Sequence, residues 1–172
     1  MRAMLVCVWA GALAAASAGA TLPEDVAVGT RVEVEGTRAG AGDVMAKRVS
    51  LRRAARGADE VEAAVDSIDA ASRSLVVGGV RAVVDPGAEI RDGDELTTDL
   101  ARVRAGTEVE AEGRFEGGVL RVRSLETSEL DEDEVHAVEL EGTITEVDPG
   151  GGSFRVLGLK VVVGPQTRLG IH

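Results

Sequence analysis

Hydrophobic and polar positions alternate along much of the chain with a period of two. In "GTRVEVEG" (29–36), Val32 and Val34 alternate with Arg31, Glu33 and Glu35; in "GTEVEAEG" (106–113), Val109 and Ala111 alternate with Glu108, Glu110 and Glu112. Such a period places apolar side chains on one face of a pleated strand and charges on the other, so both stretches are predicted to be strands with one wet face.

The two stretches are one phrase written twice, and the repetition extends well beyond them. Residues 61–90 align without a gap on residues 140–169: Val65 falls on Ile144, Ile68 on Val147, Asp69 on Asp148, Leu75 on Phe154, Val77 on Val156, Gly79 on Gly158, Val84 on Val163 and Pro86 on Pro165. Residues 106–126 align on 29–50 with one extra residue in the turn. The order along the chain is therefore back half, front half, back half, front half, which makes two sets of one module.

At four places the apolar spacing slips from two to three: Val122 to Leu125, Ala46 to Val49, Val65 to Ile68 and Ile144 to Val147. A one-residue slip turns every later side chain to the other face unless an extra residue bends the strand, so β-bulges are expected at equivalent places in both copies. In the hairpin through Gly117-Gly118, Arg121 and Arg123 are expected opposite the outward glutamates. Between the halves of the central copy, Leu96, Leu100 and Val103 fall on one helical face, with Asp94 as cap and Gly106 as stop, and a short helix is expected there. Pro86, Pro149 and Pro165 are read as strand ends or turns, with Pro23 ahead of the first strand.

Strand, strand, strand, short helix, strand, strand is the order of a five-stranded OB-type barrel. The predicted class is all-β: two small OB-like five-stranded barrels, the second assembled from the N-terminal hairpin and the C-terminal three-stranded segment. The complete central copy is placed at 61–126. The half-repeat at 26–51 pairs with 138–169, within a C-terminal half-repeat of 138–172, and an acidic linker runs through 127–137. Charged stretches without strand alternation at 53–60 and 127–139 mark the module boundaries. A lone hairpin and a lone three-stranded sheet leave raw edges and are not stable alone. Each half is therefore expected to complete the other, with Leu159–Val163 parallel to Val44–Leu51. Tethering through the central copy favours pairing within one chain; exchange between neighbouring chains, giving a domain-swapped homo-oligomer, is the alternative.

Composition adds a compartment. Residues 1–20 carry Arg2, an apolar run from Met4 to about Ala16, and Ala18 and Ala20 around Gly19, the grammar of a secretory signal peptide. The run is too short to cross a bilayer, so no stable membrane insertion is expected after cleavage, and the protein is expected in the periplasm or outside the cell. Cys7 lies inside that run, with Val6 where a lipidation signal needs a small residue. A mature chain from Thr21 holds no cysteine, and it retains 18 basic against 30 acidic residues, a formal −12. There is no Tyr, and Phe115 and Phe154 are the only aromatic residues after Trp9. Single-strand binding needs a basic groove and stacking aromatics, so no nucleic-acid partner is expected.

Candidate chemistry is sparse. His136 and His172 stand apart, and no nucleophile, base and orienting group can be assembled, so no catalytic residue, cofactor or cofactor-binding residue is assigned and an enzyme is not expected. "PGGGS" (149–153) lacks the lysine and helix of a phosphate loop and is read as a hairpin turn. The run "ELDEDEVH" (129–136) offers Asp131, Asp133, Glu134 and His136 to a divalent cation but lacks the spacing of a calcium loop; it is read as a solvated linker and no metal site is assigned.

A G-x-x-V-x-V-x-G phrase followed by a G-x-L hairpin and a closing acid occurs as Gly106, Val109, Ala111, Gly113, Gly118, Leu120 and Glu126. The first copy has Gly29, Val32, Val34, Gly36, Gly42 and Val44, with Ser50 in place of the acid. In this the chain resembles an uncharacterised family of exported bacterial OB-like domains, with Ala111 and Ser50 as departures. The resemblance implies fold and export and carries over no functional residues. The functional expectation is a non-catalytic exported binding or structural module of the cell envelope acting through protein–protein contacts, its partner an unknown envelope protein. The alternative is a periplasmic protein that binds divalent cations or a small ligand weakly.

Overall fold

The structure, a computed structural model, describes residues 22–39, 42–52, 57–93, 95–97, 99–128 and 137–171. Every regular element among them is a strand: β1 (Arg31–Arg38), β2 (Val44–Arg52), β3 (Asp59–Asp69), β4 (Ser74–Val77), β5 (Val80–Asp92), β6 (Glu95–Thr97), β7 (Glu108–Glu116), β8 (Val119–Ser128), β9 (Ala137–Thr143), β10 (Glu146–Asp148), β11 (Ser153–Val156) and β12 (Leu159–Ile171). The period of two in the sequence becomes alternating burial. Val109 and Ala111 of β7 are fully buried, and Glu108, Glu110 and Glu112, which alternate with them, are half-exposed.

The central copy closes on itself. The ladder runs β3–β4–β5–β8–β7, and β7 returns to β3, which makes a five-stranded barrel. β5 and β8 are parallel, and the other ladders are antiparallel. Val65, Leu75, Val77, Val84, Ile90, Leu120, Val122 and Leu125 fill it, with aliphatic side chains doing the packing that aromatics do in many cores.

The chain ends pair with each other. β12 lies parallel to β2, with Val161 beside Val44 and Val163 beside Ala46, as expected; after an interruption the ladder resumes from Arg168 beside Arg48 to Ile171 beside Leu51. β1 joins β2 and β9, and β10 joins β11, which joins β12. The joints match those of the central copy. There, the N–H of Gly106 donates to the carbonyl of Val65 (2.8 Å), and the N–H of Val65 donates to the carbonyl of Thr107 (2.8 Å). At the ends, Gly29 donates to Ile144 and Ile144 donates to Thr30, both at 2.9 Å. Ile144 is the aligned partner of Val65, and Gly29 of Gly106.

Three of the four expected bulges are present as shifts in the ladders, and at the fourth place the strand is interrupted instead. Glu112 faces Ser124 and Gly113 faces Val122, so Arg123 is the extra residue on β8; Glu35 faces Arg48 and Gly36 faces Ala46, so Lys47 is the extra residue on β2. β3 shifts between Val65 and Ser67, and at the aligned point the first strand of the C-terminal half divides into β9 and β10. The glycines that frame the repeated phrase have different jobs. Gly29 and Gly106 hold φ of +90° and +88°, which an L side chain rarely adopts. Gly36 and Gly113 lie where the bulged partner strand crosses closely. A Cβ on Gly113 would overlap the carbonyl oxygen of Arg121 and lie 2.7 Å from its carbon, and one on Gly36 would lie 2.6 Å from the carbonyl oxygen of Met45.

Three expectations are corrected. The described residues of 92–106 do not form the expected helix, whose cap Asp94 lies outside them: residues 95–97 form β6, which turns back on β5 with Arg91 opposite Leu96, while Leu100 and Val103 are buried and Leu96 is 61% exposed. Local side-chain bonds compete with helical turns here, since Thr97 Oγ1 accepts the N–H of Asp99, and Asp99 in turn accepts the N–H of Ala101. Pro86 and Pro165 lie inside long strands, at the points where the parallel ladders skip from Val84 to Glu89 and from Val163 to Arg168; a residue without an N–H is tolerated where the ladder is already broken. Arg121 does not oppose a glutamate. The two-residue turn at Gly117-Gly118 sets Arg121 opposite Arg114, and the bulge beyond it leaves Arg123 as the extra residue between Val122 and Ser124, so neither arginine sits directly opposite a glutamate.

The bulge glycine is open to a direct test. Gly113→Ala is expected to cost about 2–4 kcal/mol in urea denaturation, because backbone rather than a flexible side chain must move. Gly87→Ala, with nothing within 4 Å of the added carbon, is expected to stay within about 0.5 kcal/mol.

Candidate functional site

Four strands of the sheet carry the same three-residue pattern, glutamate, apolar residue, glutamate: Glu33-Val34-Glu35 on β1, Glu139-Leu140-Glu141 on β9, Glu60-Val61-Glu62 on β3 and Glu110-Ala111-Glu112 on β7. The four middle residues are buried, which fixes the glutamates on the opposite face. The strands are adjacent in the order β1–β9–β3–β7, and their register aligns the acids. One row reads Glu33, Glu141, Glu60, Glu112. The other reads Glu35, Glu139, Glu62, Glu110 and continues to Glu126 on β8.

Glutamates directly opposite each other are unfavourable in a sheet, and here the opposition recurs across every ladder of the face. Among the described residues, ion pairs reach only its margin. Arg48 pairs with Glu35 at 2.7 Å and Arg52 pairs with Glu33, both from β2. Beside the β1 and β3 ends of the face, the buried Arg31 donates from Nε to Glu141 (2.9 Å), from Nη1 to Asp59 (3.3 Å) and from Nη2 to the carbonyl of Ala58. Asp59 also accepts the N–H of Phe115 at 2.7 Å, so this group ties β1, β9, β3 and β7 together. Among the described residues, Glu60, Glu62, Glu110, Glu112 and Glu139 have no ion-pair partner.

The electrostatic consequence is strongest at Glu60. Burial and then the charges of Glu110, Glu112, Glu141 and Glu139 push its carboxyl up to about 7. Glu110 is raised by burial, then by Glu112, Glu62 and Glu126; Glu139 is raised by burial, then by Glu62 and Glu35, with Arg52 opposing. Carboxylate oxygens of Glu60, Glu110 and Glu112 lie within 4.8 Å of one another. Calcium is normally held by six to eight oxygens that include neutral carbonyls. Three carboxylates alone are a concentration of charge rather than a coordination shell. Next to the rows, Glu35, Gly36, Lys47, Glu62, Glu108, Ala137, Val138 and Glu139 line a shallow hollow of about 170 Å³, into which the bulge of β2 brings Lys47.

None of the candidates read from sequence is among the described residues of this face. Asp131, Asp133, Glu134, His136 and His172 fall outside the described residues, as do residues 1–20 with Cys7 and Trp9. "PGGGS" is a turn between β10 and β11, closed by Asp148 accepting the N–H of Gly151 at 2.9 Å. Phe154 is buried and Phe115 packs against the core, so neither is presented as a stacking platform. The acidic face was missed because the β3–β9 ladder joins two parts of the chain that the repeats assign to separate barrels. The fourfold recurrence of the glutamate pattern was the available signal.

The fold and this face define an all-β protein with a closed five-stranded barrel and an aligned carboxylate surface. The chain belongs to the family described as Domain of unknown function (DUF5666), which matches residues 11–50, 62–125 and 141–170. The interruptions fall at the two charged connectors. No curated protein matches the chain, and no solved structure does.

The buried group at the margin of the face separates structural charges from surface ones. Arg31→Ala is expected to cost about 3 kcal/mol in equilibrium unfolding, because Glu141 and Asp59 lose their cation inside the protein. Arg48→Ala, which breaks an exposed pair, is expected to cost less than about 1 kcal/mol.

Proposed function

We propose that this protein is a non-catalytic, exported binding or structural module of the bacterial cell envelope that works through protein contacts, and that its contact surface is the glutamate face. The observation that carries this reading is the register of the glutamate patterns on β1, β9, β3 and β7: aligned like charge opposes sheet pairing, and a surface that bears this cost is suited to a partner of opposite charge. The partner's chemistry is that of a cationic protein segment. The scaffold in this reading is a pair of OB-like barrels, the second closed where β9 runs on into β10, and the signal-like residues 1–20 support export.

The test is calorimetric titration with a lysine-rich peptide at low ionic strength. Binding is expected, with loss at about 0.5 M salt. Replacing Glu62 and Glu139 by Gln is expected to weaken it at least about fivefold. Absence of binding at low salt contradicts the reading, and heat from calcium chloride instead of the peptide moves it to the alternative, weak divalent-cation binding.

A further inference from the structure

The central barrel and the paired chain ends share one short backbone ladder, and the ion pairs Arg31–Asp59 and Arg38–Asp66 cross the same junction. Between β3 and β9 the partners are Glu60 with Glu141, Val61 with Leu140, Glu62 with Glu139 and Ala63 with Val138. Val61, Leu140, Ala63 and Val138 are buried and hold the seam by apolar contact. The other two pairs set acid against acid. The same ladder is flanked on both sides by more of the same charge, Glu110 and Glu112 on β7 and Glu33 and Glu35 on β1.

We infer that this seam is a proton-operated latch: protonation of Glu60 among the glutamates that face it relieves acid set against acid and tightens the β3–β9 junction, and its deprotonation loosens it. The groups that face Glu60 account for the sign. From β7 come Glu110 and Glu112, and from β9 come Glu139 and Glu141. Beyond β9, Glu33 and Glu35 on β1 are met by Arg52 and Arg48 on β2, and beyond β7, Glu126 extends the second row on β8. Among the cations, Arg31 is committed to Glu141, Asp59 and the carbonyl of Ala58, Arg38 is paired with Asp66, and Lys47 lines the hollow beside Glu62 and Glu139. Arg114 and Arg121 face each other further along the β7–β8 hairpin, where Arg114 pairs with Glu116 at 3.3 Å. Carboxylates therefore dominate the surroundings of Glu60 on both adjacent strands.

The carboxyl of Glu60 titrates at about 7 in the fold, above the ordinary 4.5, so the folded state binds the proton that the unfolded state releases. The stability it contributes is full below the unfolded value and is lost as pH rises through the folded one. The groups that oppose this trend act lower down. Asp69 is held below the ordinary range by Ser72 and Ala71, and Asp92 by Arg102 and Thr127, so both remain ionised at pH 5.5.

The test is urea unfolding of the full chain at pH 8.5 and 5.5, with hydrogen exchange of the Val138–Glu141 amides read at both. The folding equilibrium constant is expected to rise about tenfold on acidification, a figure reduced for solvent screening. The β9 amides should gain protection after correction for intrinsic exchange. Glu60→Gln is expected to raise stability at pH 8.5 and to cut the pH ratio to below about threefold. It shares His136 and His172 with the parent, so the difference between the two proteins isolates the seam. Glu116→Gln, at the far end of β7, should keep the full ratio. A parent whose stability is indifferent to pH or falls on acidification overturns the inference, as does a Glu60→Gln protein with the parent's ratio. Should that variant not fold, carbon NMR of the parent decides: a Glu60 carboxyl midpoint near 7 supports the latch, and one below 5 overturns it.

Discussion

The structure rests on the pairing of two strands from opposite ends of the chain. Without β12 beside β2, the N-terminal hairpin presents an open edge and the C-terminal strands present another. Neither piece has enough partners to offset the entropy of ordering it. Together they reproduce the joints of the central copy, down to the two backbone bonds that link Gly29 and Thr30 to Ile144 as Gly106 and Thr107 are linked to Val65. The geometry permits this within one chain. β2 and β3 are separated in the sheet by β1 and β9, a span of roughly 15 Å at the usual strand spacing, and the short segment between Arg52 and Asp59 can cover it.

Much of this was legible in the sequence because strands advertise themselves by period. The alternation through Val32 and Val34 located β1, the slips at Lys47 and Arg123 located the bulges, and the gapless alignment of 61–90 with 140–169 identified the parallel partner of β2. Local competition was less legible. The apolar spacing of Leu96, Leu100 and Val103 suits a helix, but it says nothing of the hydrogen bonds that Thr97 and Asp99 offer to nearby N–H groups. The pairing across the β7–β8 hairpin was also misjudged, because the two-residue turn places Arg121 opposite Arg114 and the bulge that was foreseen takes Arg123 out of the register.

The candidate site was legible only as parts. The strands that became β1 and β7 showed outward glutamates, for which a charged sheet surface is the ordinary meaning, whereas Glu60 and Glu139 fell in stretches read as charged connectors and lie on β3 and β9. The significance of the pattern depends on β9 lying between β1 and β3, a long-range fact that no local period encodes. Once that order is fixed, buried Val34, Leu140, Val61 and Ala111 hold their flanking acids in two rows. The pairing that makes the chain whole thus also assembles the acidic face, and the elevated titration of Glu60 follows from both.

The central claim is that the two ends complete each other within one molecule. Met45 and Val162 are register partners on β2 and β12, with Met45 exposed and Val162 half-buried, which makes them suited to a cross-link. The measurement is oxidation of the full chain carrying Met45→Cys, Val162→Cys and Cys7→Ser at low protein concentration, followed by non-reducing electrophoresis and size-exclusion chromatography. The account predicts a disulfide formed in high yield inside a monomer. Cross-linking only between chains, or no disulfide in the folded protein, contradicts it.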